Sequence, residues 1–182
     1  MEHEQCAACG FNGSYYDDAP LLAAVRELGP RWRILLADAG PDLRIRPEPD
    51  VWSAIEYAAH SRDIIALHAF GVTQALTVDE PTYPAIVADD LIETAAAKSL
   101  HDDPEAVVAA LDAQARHLAQ VAGDPADDAW QRGLTIGDER STVRRMLEHA
   151  LHDSLHHLDD VERGVRHLRS ERSHRSPKGR PT

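Results

Sequence analysis

The feature that most constrains this 182-residue chain lies near its carboxyl end, where Val143, Met146, Leu147, Ala150, Leu151, Leu155 and Leu158 recur at three- and four-residue spacings. At about 100° per residue these side chains share one stripe of a helix, and an apolar stripe of that length must be covered by other helices. Histidines interleave with it. Four of the eleven, His149, His152, His156 and His157, fall between Leu147 and Val161. His152 and His156 stand one turn apart, with Cβ atoms about 5–6 Å from each other, so two imidazoles can grip one ion. His149 continues that stripe, whereas His157 is turned about 100° away from His156. An isolated His-x-x-x-His is also compatible with ordinary half-buried polar side chains, so a metal site needs a third ligand from another helix.

The rest of the chain supplies partners for this helix. Asp17-Asp18-Ala19-Pro20 is a helix start, with Leu21, Leu22, Val25 and Leu28 as its apolar stripe. Gly29-Pro30 is expected to interrupt it before Trp32, Ile34, Leu35 and Leu36 resume the helix as far as Gly40-Pro41. A second long helix is read from about Val51 to about Leu76, carrying His60 two turns in and His68 two turns beyond. Ile86 to Leu100 reads as one or two short helical pieces. Asp102-Asp103-Pro104 then opens a helix in which Val107, Val108, Leu111, Ala115, Leu118 and Val121 face a core up to Gly123. Asp124 to Arg140 reads as a loop or a short turn of helix, and Ser141 as the N-cap of the final helix. No stretch alternates with period two long enough for a convincing strand. The expectation is an all-α four-helix bundle, in which sites form between facing helices. His60 is then the third ligand for His152 and His156.

Composition bounds what such a bundle can do. The length suits one domain with appendages. A hydrophobic content of 43% and a charged content of 27% exclude global disorder. A net charge of −12 argues against a nucleic-acid partner, because a phosphate backbone is met by clustered Lys and Arg. No window reaches the length of a membrane span, and Met1-Glu-His-Glu-Gln-Cys is the reverse of a basic, apolar leader, so neither membrane nor export is expected and the location is read as cytoplasmic. Arg169, Arg172, Arg175, Lys178 and Arg180 stand against the single acid Glu171 in residues 169–182, which are read as a disordered basic tail.

Both cysteines sit in Cys6-Ala-Ala-Cys9-Gly10-Phe11, within an amino-terminal segment 1–18 that precedes a bundle at 19–168. Cys-x-x-Cys-Gly has the shape of a zinc knuckle, a candidate second metal site that needs two further ligands. His3 and His101 are available, but the spacing selects neither. A redox dithiol and two plain reduced thiols are the alternatives.

Two stretches carry a family resemblance. Trp52-Ser-Ala-Ile-Glu-Tyr-Ala-Ala-His60-Ser-Arg62-Asp63, followed by Ser141-Thr142-Val143 leading into His152-Asp-Ser-Leu-His156-His157-Leu-Asp-Asp160-Val161, resembles the DinB-like family over roughly residues 19–168. The resemblance implies a metal-binding four-helix bundle related to thiol transferases and the mycothiol-dependent maleylpyruvate isomerase. One His from the second helix and a His-x-x-x-His pair from the last would hold the metal, which places the ligands on His60, His152 and His156. Zinc is the expected metal, and nickel or iron would accept the same donors. The implied activity is a thiol-dependent S-transferase or isomerase acting on a small-molecule thiol and an electrophile. Asp153, Asp159 and Glu148 are candidate carboxylates to orient the imidazoles, and Arg62 or Arg144 to neutralise an anionic substrate. A metal-dependent hydrolase and a non-catalytic, metal-stabilised binding or sensor module, in a form that allows a homodimer, are the other readings.

Overall fold

The computed structural model describes residues 3–84, 89–123 and 128–175, which order as six helices and a three-stranded sheet. Helices α1 (Asp18–Arg26) and α2 (Leu28–Ala39) form the first arm of the bundle. The break between them falls at Glu27, one residue before Leu28, so Gly29-Pro30 lies in the first turn of α2, where proline is tolerated. Gly29 has a second use. A Cβ there would come within 2.7 Å of the Asp112 Cα, so its absence lets α2 lie close against the helix that carries Asp112. Gly40, at φ +52, ends the arm.

Helix α3 (Ala54–Thr77) opens on Ser53, whose N–H and hydroxyl both donate to the fully buried Glu56 carboxylate at 2.8 and 2.7 Å. Arg46, in the preceding connector, donates to the same carboxylate. Burial alone would raise the Glu56 pKa, but these Arg46 and Ser53 donors outweigh it and hold the carboxyl below its usual range. Trp52 stands outside α3, where its indole N–H donates 2.6 Å to Glu93 of α4 (Asp89–Ser99). Helix α5 (Pro104–Ala122) has proline at its first position and ends at Gly123, φ +59.

The segment read as a loop before the last helix carries a small sheet. Strand β1 (Thr82–Tyr83) pairs in parallel with β2 (Gly133–Ile136), which pairs antiparallel with β3 (Glu139–Thr142). Gly137-Asp138 makes the two-residue turn, with Gly137 at φ +60, the sign a hairpin turn of that length demands. Strands of two and four residues are too short to show an alternating pattern. Ser141 pairs with Leu134 inside β3, and the cap of the last helix is the strand's final residue, Thr142, whose Oγ1 accepts the Arg145 N–H at 3.2 Å.

Helix α6 (Val143–Arg175) is 33 residues long, about 50 Å. The basic stretch assigned to a tail is therefore helical through Arg175, and residues 176–182 lie outside those described. Arg172 pairs with the buried Asp42, and Arg169 with Asp38 at 3.1 Å, so both basic side chains dock on the end of the first arm. The bundle is all-α in its body: the first arm and α3 each pack on both α5 and α6. Trp32, fully buried, donates its indole N–H to Ser154 Oγ at 2.8 Å and so keys α2 to α6. Among the described residues no helix is long and apolar enough to cross a membrane.

The amino-terminal segment lies along α6. Glu148, with none of its side chain exposed, accepts the Glu4 N–H at 2.8 Å, His3 Nδ1–H at 2.7 Å and Arg144 Nε–H at 2.6 Å. Arg144 in turn donates to the carbonyls of Gly13 and Tyr16 and pairs with Asp18. Gly13 packs directly on the Glu148 carboxylate, leaving no room for a Cβ. This network delivers Cys6 and Cys9 to a fixed height on the helix.

Candidate metal centre

Adjacent positions on α6 differ by about 100°, so its chemistry divides into two stripes. His152 and His156 lie on one; Asp153, His157 and Asp160 lie on the next. The second stripe faces α3. His60 Nε2 is 3.7 Å from Asp153 Oδ1, and His157 Nε2 is 3.4 Å from the same oxygen. Ligand atoms of His60, Asp153 and His157 all lie within 4.8 Å of one another. The expected set of His60, His152 and His156 is not brought together: among the described residues, His152 and His156 group instead with Cys6 and Cys9.

Local partners orient the α3-facing group. His157 Nδ1–H donates 3.0 Å to Asp160, which turns Nε2 toward Asp153. The Trp52 ring lies 5.2 Å from His60, and the Tyr57 ring 4.9 Å from His157, so two aromatic faces wall the group. Burial, and then the Asp160 charge, push the Tyr57 phenol above its ordinary pKa, which keeps it protonated. Burial opposes a charge on His157, but Asp153 and Asp160 on either side of the ring outweigh it and lift its pKa to about 9. Asp153 is held far below its usual range despite burial, by hydrogen bonds to His157 and His60. The site favours positive charge.

One atom in this group has no partner. Asp153 Oδ2 is buried and accepts no hydrogen bond, a costly state for a carboxylate oxygen. Two imidazole nitrogens, a carboxylate and an orphaned oxygen are the donor set of a divalent transition-metal site, and the residues present fit such an ion.

The other candidates have different uses. Glu148 and Arg144 belong to the buried network under the amino terminus, and Arg62 pairs with Asp63 at 2.7 Å and with Asp102 at 3.6 Å. Asp159 is exposed and lines a cavity of about 790 Å³ between α2 and α6, with Cys9, Phe11 and Arg31. That cavity contains none of His60, Asp153 and His157, so polar chemistry and open volume fall in different places. Asp153, read from the sequence as a carboxylate that orients the imidazoles, stands inside the group with His60 and His157. The signal was present as Asp153-x-x-x-His157, one residue out of step with the histidine pair.

Comparison with known proteins agrees with this architecture. Residues 19–161 match the family model of the DinB superfamily. Among solved structures, the chain is similar to YfiT from Bacillus subtilis, described as a probable metal-dependent hydrolase with an unusual four-helix bundle topology. The two share 18% identity at a TM-score of 0.70, over 84% of this chain and 90% of that one. No curated protein matches the sequence.

Proposed function

The chain belongs to the DinB superfamily, and on that premise we propose that it is a metal-dependent enzyme with His60, Asp153 and His157 as the ligands of its centre. The observation that carries this reading is the buried Asp153 Oδ2 without a partner, on the carboxylate whose other oxygen faces the Nε2 atoms of His60 and His157. A divalent ion held there supplies Lewis acidity, lowering the pKa of a water or thiol that takes an open position. Three protein donors with a single carboxylate leave such positions and leave the ion net positive. Asp160 fixes the tautomer of His157, and Trp52, itself tied to Glu93, keeps bulk water off His60.

The reaction we favour is transfer to or isomerisation through a low-molecular-weight thiol of the mycothiol kind: an ion held by His60, Asp153 and His157 would favour the thiolate, its proton passing to solvent, and the thiolate would attack an electrophile. Hydrolysis, with water in place of the thiol, is the second reading, and the likeness to YfiT favours it. Zinc suits the donors best, and nickel or iron would be accepted by the same set. Purified protein, metal-loaded or stripped, is incubated with bacterial thiols and monochlorobimane, and separately with a panel of esters and amides. Metal-dependent conjugation that is lost in His60→Ala supports the thiol reading. Metal-dependent hydrolysis without thiol dependence overturns it in favour of the second. The same rates in loaded and stripped protein overturn both.

A further inference from the structure

We propose that Cys6, Cys9, His152 and His156 form a second metal site, a closed zinc site that staples the amino-terminal knuckle to α6. The ligand atoms of these four side chains lie within 4.8 Å of one another, and Cys6 Sγ is 3.9 Å from His156 Nδ1. A zinc tetrahedron with bonds of about 2.0–2.3 Å has edges of about 3.3–3.8 Å, so a small inward movement of side chains completes it. Two thiolates and two imidazoles are a donor set that zinc takes in structural sites, where all four positions belong to the protein.

Three further observations point to an ion. His152 Nε2 is buried and has no hydrogen-bond partner, while its Nδ1–H donates 2.8 Å to Glu4. That pairing of one imidazole nitrogen with a carboxylate leaves the other as a fixed lone-pair donor, the arrangement that metal-bound histidines use. Glu4 is held by Arg145 at 2.8 Å, so the carboxylate is itself positioned. His156 repeats the pattern: Nε2 faces Asp160 at 3.7 Å and Nδ1 faces Cys6. On the cysteine side, Cys6 to Phe11 form a tight turn, with Gly10 N–H donating to the Cys6 carbonyl at 2.9 Å and Gly10 at φ +74.

The two centres serve different ends and share one residue. Asp160 Oδ2 lies 3.7 Å from His156 Nε2 and 3.0 Å from His157 Nδ1, so a zinc that fixes His156 also fixes the carboxylate that orients His157. The ligands of the closed site stand without reference to any reaction at the open one.

The test uses the full chain, chelator-stripped and reloaded with zinc or with Co(II) as its spectroscopic stand-in. Co(II) protein is expected to show thiolate-to-metal charge-transfer absorption that persists in His60→Ala and disappears in Cys6→Ser and His152→Ala. Glu4→Ala is expected to weaken zinc binding at this site about 10–100-fold while leaving the absorption band in place at saturation. If the variants fail to fold, wild-type protein decides: zinc is expected to protect both thiols from a thiol reagent, and stripping to expose them. Absence of the band in loaded wild type, its survival in Cys6→Ser, or equal thiol reactivity with and without zinc overturns the proposal. Loss of metal from the His60 site alone leaves it standing.

Discussion

Replacing Glu148 with alanine should loosen the whole amino-terminal segment. The carboxylate is fully buried and accepts from Arg144 Nε, His3 Nδ1 and the Glu4 amide. Without it Arg144, 8% exposed, keeps Asp18 and two carbonyls but loses the charge nearest its Nε, and the buried Glu4 N–H loses its acceptor. Breaking one side of a buried ion pair costs about 3–5 kcal/mol. In a chain of this size each kcal/mol moves the melting temperature by about 2–4 °C, so the expected fall is about 6–20 °C. Urea unfolding followed by far-UV circular dichroism gives the free energy, with metal-stripped protein used throughout so that ion binding adds nothing. Glu148→Gln retains an acceptor oxygen and should lose less. A cost below about 1 kcal/mol for Glu148→Ala, at the level of an exposed pair, would refute the claim that this carboxylate anchors the segment.

Further expectations follow from the same contacts. Ser154→Ala leaves the buried Trp32 indole N–H without an acceptor, so unfolding measurements should record a loss of about 1–3 kcal/mol; no loss would mean that Trp32 finds another partner. Gly29→Ala forces α2 away from α5 and should cost about 1–3 kcal/mol in the same assay, whereas a neutral result would place that contact elsewhere. Glu56 has a depressed pKa in the folded chain, so its contribution is fully present above the ordinary carboxyl range near pH 4.5 and fades as pH falls through the lower folded value. Acid unfolding should therefore be less steep in Glu56→Gln than in wild type, and parallel curves would contradict the assignment.

The bundle was legible because its stripes are long: Leu21 to Leu28, Val107 to Val121 and Val143 to Leu158 each repeat over two turns or more, and the period alone sets a helix and its buried face. The small sheet was not, since Thr82–Tyr83 gains a partner only when residues 133–136 arrive from far along the chain. The helical end of α6 was hidden for a similar reason: Arg169 and Arg172 look like solvated charges until Asp38 and Asp42 are placed beside them. At the site, histidine spacing drew attention to α6 but left its rotation open. A turn of about 100° decides whether α3 sees His152 and His156 or Asp153 and His157. Cys6 and Cys9 settle that rotation from the other side, and nothing in the spacing of residues 6 and 9 announces that their neighbours are 150 positions away.

The most direct test of the metal centre is the anomalous scattering of a crystal of zinc-loaded protein, recorded on both sides of the zinc absorption edge. A peak is expected between α3 and α6, bonded to His60, Asp153 and His157, at a position separate from the cysteines. A peak shared by His60 with His152 and His156, or no density beside Asp153 in a crystal loaded at saturating zinc, would contradict it.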